Sequence, residues 1–259
     1  MKHPRDFQVH KQLRTSTMLD YEAAQTIPIN EVPMTNSFLQ VSMKLYTSTT
    51  LKLVQILLSL HHTRPLFKGL KKGFSREESE AMLRKSVEIA CDARDVYTEN
   101  CSKSSCEGAG DGEILKNRPI LVATSVGSYG AYLADGSEYS GNYGEAITVE
   151  VLKDFHRRRI QVLPESGADL IAFETVPNKI EAQAYAEHLE EEDIKIPTWF
   201  SFNSKDGVNV VSGDSLLDCA SIAESCKKVV AVGINCTPPR FILGLILAIK
   251  KVQYCIFLL

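Results

Sequence analysis

Four short apolar segments at regular intervals constrain the fold of this chain more than any other feature of its sequence. They occupy residues 119–125, 169–175, 197–203 and 229–235. Strands covered on both faces have this composition, and parallel sheets are their usual setting. Helical patterns fill the intervals, at about 147–166, 178–192 and 214–226. This alternation predicts parallel strands joined by right-handed helical crossovers.

The segments that follow these strands decide between two parallel architectures. No Gly-rich phosphate-binding fingerprint follows any of them, which disfavours a nucleotide-binding sheet. We therefore predict an α/β fold of the (β/α)8 TIM-barrel type, incomplete, with about four recognisable parallel strands and the last strands missing.

Helix boundaries can also be predicted. Ser75 and Glu78 have the spacing of a capping box, and the apolar residues behind them recur with helical spacing to the high nineties. Residues 102–117, rich in Ser, Gly and charge, predict a loop. Pro164 should kink the helix over 147–166 or end it early.

Composition and charge disfavour two classes of partner. Charged residues make up 24% of the 259 residues and the net charge is −3, so neither nucleic acid nor an anionic membrane is an expected partner. The apolar segment 51–60 is about half the length of a membrane-spanning helix. The tail 241–259 carries Lys250 and Lys251 in its middle, which predicts an apolar helix and a buried strand rather than a tail anchor.

The cysteines indicate a reducing compartment. There are seven, with irregular spacing and no C-x-x-C pair, and a chain of this size does not need disulfides. The amino-terminal residues show no secretory signal. We predict a cytoplasmic protein that is a monomer or a weak oligomer.

Polar side chains follow each predicted strand. Residues 126–144, after the first strand, are too long and too rich in Gly and Tyr for a plain connector. The later strands are followed by Glu174 and Thr175, by Asn203 and Ser204, and by Asn235 and Cys236. Because the carboxyl ends of barrel strands meet at one rim, where the chemistry of such barrels lies, these groups should converge there with one thiol.

The rim segments resemble the plant-type homocysteine S-methyltransferases. They read SVGSYGAYLADGSEYSGNYG, ESGADLIAFETVPNKIEAQA, PTWFSFNSKDG and AVGINCTPPR. The resemblance runs from Gly73 to about Val252, and the combination of GSYGAYLADGSEY with GINCTPP is highly specific. The family is similar in fold and metal site to betaine–homocysteine methyltransferase and to the homocysteine module of cobalamin-dependent methionine synthase.

The resemblance implies transfer of a methyl group from S-methylmethionine or S-adenosylmethionine to the thiolate of homocysteine, giving methionine. The thiolate is the nucleophile, and a zinc ion held by three cysteines with an open fourth position favours it. Since the sulfonium donor leaves as a neutral thioether, no catalytic residue beyond metal activation is expected. The protein binds, aligns and excludes water.

Three strand-end residues take roles from the resemblance. Cys236 matches the first zinc cysteine; its alternative is a buried free cysteine. Glu174 matches the carboxylate expected to hold the ammonium group of homocysteine; its alternative is a salt bridge or a charge at a helix N-terminus. Asn235 should contact substrate or orient Cys236, with a turn role as the alternative.

The remaining assignments concern a loop and two helices. Gly127, Ser128, Tyr129 and Gly130 match the substrate-binding loop, although the glycines could serve only the turn. We interpret His156 and His188 as surface residues, and Cys219 and Cys226 as packing residues of one helix.

The chain also departs from the family, which divides it into residues 1–72, a partial homocysteine-binding barrel over 73–252, and a divergent tail over 253–259. The family's other two zinc ligands are a Cys-Cys pair in a Gly-Gly-Cys-Cys-Arg segment, which this sequence does not contain. Cys255 is in the wrong setting to replace either of them. Nothing in residues 1–72 matches the family's Asp-Gly-Gly strand motif.

The divergent segment has one regularity. Plausible codons for residues 50–56 and 60–68, translated with the frame shifted by one nucleotide, give LEAGAD and SSYQATIQ, which the family carries around its second strand. We hypothesise a frame-shifted second barrel strand; the alternative is coincidence aided by codon degeneracy.

Three functions follow. The first is homocysteine S-methyltransferase activity; the second is a catalytically inactive fragment, from splicing or a gene-model artefact, without two of three zinc ligands. The third is a barrel enzyme that uses Glu174 as a base, which requires a shifted pKa. Four barrel strands alone would leave two unpaired edges, which predicts marginal stability or aggregation.

Overall fold

The computed structural model describes residues 25–26, 42–47, 52–57, 75–103, 120–251 and 256–258. The strands are β1 Gln25–Thr26, β2 Ser42–Thr47, β3 Lys52–Leu57, β4 Ile120–Gly127, β5 Leu170–Val176, β6 Thr198–Phe202, β7 Val229–Ile234 and β8 Ile256–Leu258. The helices are α1 Arg76–Lys103, α2 Tyr129–Leu133, α3 Ser137–Ser140, α4 Val149–Val162, α5 Lys179–Glu191, α6 Leu216–Ser225 and α7 Pro239–Ile249.

All eight strands lie in one sheet, in the order β1 to β8. The first three are antiparallel neighbours, whereas every pair from β3 to β8 is parallel. The four predicted strands are β4 to β7, so that prediction is confirmed. The expectation that their two edges would be unpaired is wrong, because β3 pairs with β4 and β8 pairs with β7.

The two faces of β4 to β7 pack differently. Val122, Phe173 and Phe200 face outward and share one large apolar cluster with the helices. The alternate residues, including Leu170 and Trp199, form a second cluster made only of strand residues. A doubly wound sheet would carry helices on both faces, whereas a barrel carries them on the outside only. The fold is therefore an incomplete (β/α) barrel, as predicted, and the second cluster marks its inner face.

The predicted helix boundaries hold within a few residues. At the start of α1, the Ser75 N–H donates to Glu78 Oε2 at 2.7 Å and the Glu78 N–H donates to Ser75 Oγ at 3.1 Å, which is the predicted capping box. Helix α1 continues to Lys103, beyond the predicted end, and residues 104–117 of the predicted loop lie outside the described residues. Helix α4 ends before Pro164, which opens a short 3-10 turn.

The apolar tail forms the predicted helix and strand, α7 and β8. Within the described part of the chain, no helix combines the length and apolar character that a membrane crossing requires. Most of residues 1–72 lie outside the described residues, so the frame-shift hypothesis stays a prediction. Cys106 and Cys255 also lie outside them, as does the side chain of Cys101.

Candidate functional site

Three residues from the ends of β5 and β7 form a hydrogen-bonded group that we call the rim cluster: Thr175, Asn235 and Cys236. The Thr175 N–H donates to Asn235 Oδ1 at 3.1 Å, and Asn235 Nδ2 donates to Thr175 Oγ1 at 3.0 Å. Thr175 Oγ1 in turn donates to Cys236 Sγ at 3.6 Å. The predicted role of Asn235 in orienting Cys236 thus has a geometric basis, through Thr175.

The backbone of the rim cluster is strained. Thr175 has φ +59° and Cys236 has φ +46°, in the left-handed region that a β-branched residue rarely adopts. The β5–β6 register shifts between Phe173 and Val176, so Thr175 lies in an irregularity of the strand. Such conformations persist where the surroundings enforce them, and they concentrate at functional sites.

The ends of β6 and β7 hold this strained segment in place. The Asn235 N–H donates to the Phe202 carbonyl at 3.0 Å. Thr237 Oγ1 donates to the Asn235 carbonyl at 2.9 Å and accepts from the Ser204 N–H at 2.9 Å. Cys236 is consequently fixed between two anchored neighbours while its side chain remains exposed. The alternative of a buried free cysteine at position 236 is therefore wrong.

Glu174 lies next to the rim cluster on the inner face. Its side chain is 6% exposed. Glu174 follows Leu170 and Ala172 at every second position of β5, so it shares their inner face, and it pairs in register with Gly127 of β4. The carboxylate of Glu174 is thus buried near the strand ends. It lies beside Gly127 and directly before the strained Thr175.

The segment after β4 folds across these strand ends. Ser128 caps α2 by accepting from the Ala131 N–H at 3.3 Å. A side chain at Gly130 would collide with the backbone of Ser137 and Glu138, so that glycine allows α2 and α3 to meet. Asn203 Nδ2 then donates to the Glu138 carbonyl at 2.9 Å, which attaches α3 to the end of β6.

Helix α3 also lies close to the exposed thiol. Burial raises the pKa of the Tyr139 hydroxyl, and negative charge on Cys236 and on Glu138 raises it further. The bond from Asn203 to the Glu138 carbonyl likewise places α3 at the end of β6.

A second polar group, the buried carboxylate cluster, lies behind the loop and consists of Glu181, Tyr143, His156, Arg159 and Tyr185. Glu181 is fully buried on α5. It accepts from the Tyr129 N–H at 2.6 Å, from the Tyr143 hydroxyl at 2.5 Å and from the Tyr185 hydroxyl at 3.3 Å. One carboxylate thus holds both ends of the segment that carries α2 and α3.

The hydrogen bonds of His156 define its tautomer. Arg159 Nη2 lies 2.6 Å from His156 Nδ1, and since a guanidinium only donates, Nδ1 must accept. Nε2 therefore carries the proton and donates to Glu181 Oε1 at 2.8 Å. Burial, followed by the charge of Arg159, lowers the pKa of His156 to about 4. Burial also lowers the pKa of Arg159 to about 10, which leaves it charged at neutral pH.

The interpretation of His156 and His188 as surface residues is wrong, since they are 1% and 0% exposed. His156 is four residues from Leu152 and four from Ile160, both fully buried, so helical spacing already placed it on the buried side of α4. Both ring nitrogens of His188 lack hydrogen-bond partners among the described residues. Burial lowers the pKa of His188.

The predicted packing role of Cys219 and Cys226 is confirmed. Both are free and buried. Burial raises the pKa of Cys219 to about 12 and also raises that of Cys226.

Some of the predicted site residues therefore lie together, and others do not. Glu174, Asn235 and Cys236 meet at the ends of β5 and β7, and Gly127 lies beside Glu174. Ser128 caps α2 and Tyr129 begins it, and the Tyr129 N–H donates to the carboxylate of Glu181. Sequence reasoning named Thr175 only as a strand-end residue and missed Glu181 altogether.

The described residues do not make a zinc site by themselves. No group of three His, Cys, Asp or Glu side chains among them is arranged to hold a metal ion. Zinc sites in proteins use three or four side-chain ligands, whereas the rim cluster offers the single thiol of Cys236.

Comparison with known proteins gives a consistent family. The family model described as "Homocysteine S-methyltransferase" matches residues 32–259. Homocysteine S-methyltransferase 2 of Arabidopsis thaliana is 75% identical over 181 residues, and the selenocysteine methyltransferase of Astragalus bisulcatus is 70% identical over 181 residues. Each alignment covers 70% of this chain and 54% of the relative. The chain thus spans about half the length of the curated relatives it matches.

A solved structure has a similar fold. The metallated form of the homocysteine methyltransferase MmuM from Escherichia coli superposes with a TM-score of 0.63 and 35% sequence identity. The superposition covers 73% of this chain and 60% of that one.

Proposed function

This chain belongs to the homocysteine S-methyltransferase family, and on that premise we propose that its rim binds an amino-acid thiol as the acceptor of a methyl group. The observation that carries the proposal is the placement of Cys236. Its exposed thiol is held by Thr175 and Asn235 at the strand ends, beside the buried carboxylate of Glu174. In this proposal Cys236 marks the thiol site, and Glu174, which directly precedes Thr175, marks the ammonium site.

The proposed reaction transfers a methyl group from S-methylmethionine or S-adenosylmethionine to homocysteine. The acceptor sulfur attacks the methyl carbon, a new C–S bond forms, and the C–S bond to the sulfonium breaks, with its electrons returning to the departing thioether. The products are methionine and a neutral thioether, so no side chain has to supply a proton to the leaving group.

Each rim residue has a role in that scheme. Glu174 pairs with the ammonium group of the acceptor, and its burial strengthens the attraction because water screens it little. Thr175 and Asn235 fix the direction of Cys236. The segment with α2 and α3 borders the rim and limits the access of water to a bound acceptor.

The acceptor could also be a selenol. One relative that is 70% identical is named selenocysteine methyltransferase, and another of 71% identity from Brassica oleracea is named selenocysteine Se-methyltransferase. Selenocysteine and homocysteine share the ammonium and carboxylate groups, so Glu174 would serve both. We therefore propose amino-acid thiols and selenols as the acceptor class.

Zinc is the cofactor that the family resemblance implies, with Cys236 as one ligand. When bound, it favours the deprotonated form of an acceptor sulfur. Two further ligands would have to come from outside the described residues, since those residues offer one thiol at the rim. The predicted cytoplasmic location, and the expectation of no nucleic-acid or membrane partner, stay predictions.

The second candidate function is a catalytically inactive member of the family. The observation that favours it is the incomplete ligand set around Cys236. Such a chain could bind homocysteine without transferring a methyl group, so binding and turnover have to be measured separately.

A purified sample tests both proposals. L-homocysteine should bind with a measurable heat in calorimetry, and Glu174→Gln should weaken that binding by about tenfold or more, because the charge partner of the ammonium group is lost. Asp135→Asn, which removes an exposed carboxylate from the segment between α2 and α3, is the matched control. The protein is then incubated with S-methylmethionine and homocysteine, and the formation of methionine is measured. Binding without methionine supports the inactive member, and absence of binding contradicts both proposals.

A further inference from the structure

Three segments of the chain meet at a point that we call the loop junction: Gly141 after β4, Asn178 after β5 and Ser212 after β6. Asn178 Nδ2 donates to the Gly141 carbonyl at 2.9 Å, and the Ser212 N–H donates to the carbonyl of Pro177 at 3.1 Å. Gly141 has φ +70°, and a Cβ built on it would come within 2.5 Å of Ser212 Cβ. Because a side chain at position 141 would be strained and would collide, glycine lets the segments pack backbone to backbone.

Asn178 uses the two branches of its amide for two different contacts. Oδ1 accepts from the Glu181 N–H at 2.9 Å and so caps α5, which leaves Nδ2 as the branch that donates to Gly141. The side chain is 3% exposed, so the bond to Gly141 is shielded from water. Aspartate caps a helix as well as asparagine but has no donor when ionised. The cap alone therefore does not account for asparagine at this position, whereas the bond to Gly141 does.

The bond from Asn178 holds the end of α3 that lies near the exposed thiol. Gly141 ends this helix, since its N–H donates to the Ser137 carbonyl at 2.8 Å. Nearer its start, α3 is attached to β6 through the Glu138 carbonyl. Tyr139 lies between the two attachments, and negative charge on Cys236 adds to burial in raising the pKa of its hydroxyl, so the two side chains are neighbours.

We propose that Asn178 is a positioning residue of the acceptor site, which acts through Gly141 to hold α3 beside Cys236. The hydrogen bonds that orient the thiol itself involve Thr175 and Asn235, so the loss of the Asn178 contact should loosen α3 and leave Cys236 in place. An acceptor then has to order α3 again as it binds, which weakens its affinity. This part of the inference rests on the proposed function, whereas the effect on access to the thiol does not.

Asn178→Asp separates the two contacts of the side chain. It keeps the acceptor that caps α5 and replaces the donor with an oxygen that the Gly141 carbonyl repels. N-ethylmaleimide should label native Cys236 at least about threefold faster, as measured by mass spectrometry of the peptide that carries it. Calorimetry should show about fivefold weaker binding of L-homocysteine, the effect of one lost hydrogen bond.

A second variant and two controls isolate the cause. Asn178→Ser also caps a helix, adds no charge and is too short to reach Gly141, so it should behave as Asn178→Asp does. Asn142→Asp adds the same charge next to Gly141 and keeps the acceptor for the Gly144 N–H, so it should label and bind as the unsubstituted protein does. Cys219→Ser destabilises the apolar cluster around α6 and should also leave the labelling of Cys236 unchanged.

The outcomes separate this inference from the proposed function. If both variants at position 178 label Cys236 at the unsubstituted rate, Asn178 serves as a helix cap only and the inference is overturned. Equally fast labelling in Cys219→Ser would also overturn it, because general loosening of the fold would then be the cause. If the unsubstituted protein does not bind homocysteine, the proposed function fails, and faster labelling in the two variants still supports the positioning of α3 by Asn178.

Discussion

The rim cluster and the buried carboxylate cluster lie within one loop of each other, but the thiol of Cys236 is exposed to solvent whereas the carboxylate of Glu181 is fully buried. In the buried cluster, Glu181 accepts four hydrogen bonds, and the charge of Arg159 reaches it through His156. At the rim, the backbone is strained, the thiol of Cys236 is exposed, and neighbouring acceptor atoms have no partner among the described residues.

The difference separates support from recognition. Hydrogen-bonded networks inside a protein rigidify their surroundings, and here the bonds from Tyr129 and Tyr143 to Glu181 fix both ends of the segment that carries α2 and α3. The exposed thiol of Cys236, in contrast, remains available to a ligand. We therefore expect substitutions in the buried cluster to change folding stability first, and substitutions at the rim to change binding first.

Glu181→Ala should produce the largest effect on stability. It leaves the Tyr129 N–H, the Tyr143 hydroxyl and His156 without their acceptor and removes the charge opposite Arg159. Breaking a buried charge network in this way costs about 3–5 kcal/mol of unfolding free energy. Urea denaturation measures it. Glu150→Ala is the matched control and should leave the midpoint nearly unchanged, because Glu150 is exposed and its partner Lys153 keeps ion pairs with Glu187 and Glu191. A similar small shift for both variants would contradict the framework role of Glu181.

The second effect is a dependence of stability on pH. Because the pKa of His156 is lowered to about 4 in the folded state, its protonation favours the unfolded state. The stabilisation is complete above the unfolded value of about 6.5 and is lost as the pH falls toward 4. From pH 7 to pH 5 this histidine alone should account for a loss of about 2 kcal/mol.

His156→Gln tests that assignment, since glutamine can donate to Glu181 but does not titrate. Denaturation of both proteins at pH 7 and pH 5 gives the two losses, and the variant's should be smaller by about 2 kcal/mol. Equal losses would assign the acid sensitivity to other groups, including His188, whose pKa is also lowered.

The sequence predicted the strands well because the signal was local. Each of β4 to β7 is an apolar run bounded by turn residues, and each forms within two residues of its predicted position. The histidines were missed although the signal existed, because the polarity of His156 was given more weight than its spacing from Leu152 and Ile160. Helical position was the better guide.

The contacts of the rim cluster could not be predicted in the same way. Thr175 and Asn235 are 60 positions apart, and Thr175 lies where β5 is irregular, between Phe173 and Val176. No pattern in the sequence signals that shift or the left-handed backbone at Thr175. The strand ends could be predicted as the location of the site, but not which side chains would bond there.

A third prediction concerns that contact. Asn235→Ala removes both hydrogen bonds to Thr175 and leaves the Thr175 N–H buried without a partner, which should cost about 1–2 kcal/mol in urea denaturation. Asn235→Asp keeps an acceptor for that N–H and should recover part of the loss. If alanine and aspartate behave alike, the bond between Asn235 and the Thr175 backbone does not hold the strained segment.

Cys236→Ser should have the smallest effect on stability. It therefore gives the sharpest contrast with the large effect expected for Glu181→Ala in the buried carboxylate cluster. Among the described residues the exposed thiol has one hydrogen-bond partner, Thr175 Oγ1 at 3.6 Å, and serine occupies nearly the same space. The unfolding free energy should therefore change by less than about 0.5 kcal/mol. Cys219→Ser, which places a hydroxyl in the apolar cluster around α6, is the matched control and should destabilise by about 1–3 kcal/mol.

Thiol labelling of the native protein completes this comparison. Cys236 should react with a thiol-specific reagent under native conditions, whereas Cys219 and Cys226 are shielded and have raised pKa values. Excess homocysteine should slow the labelling of Cys236, because the proposed acceptor occupies the rim above it. Unchanged labelling in its presence would place the acceptor elsewhere. The exposed thiol would then lack the substrate contact that distinguishes the rim from the buried carboxylate cluster.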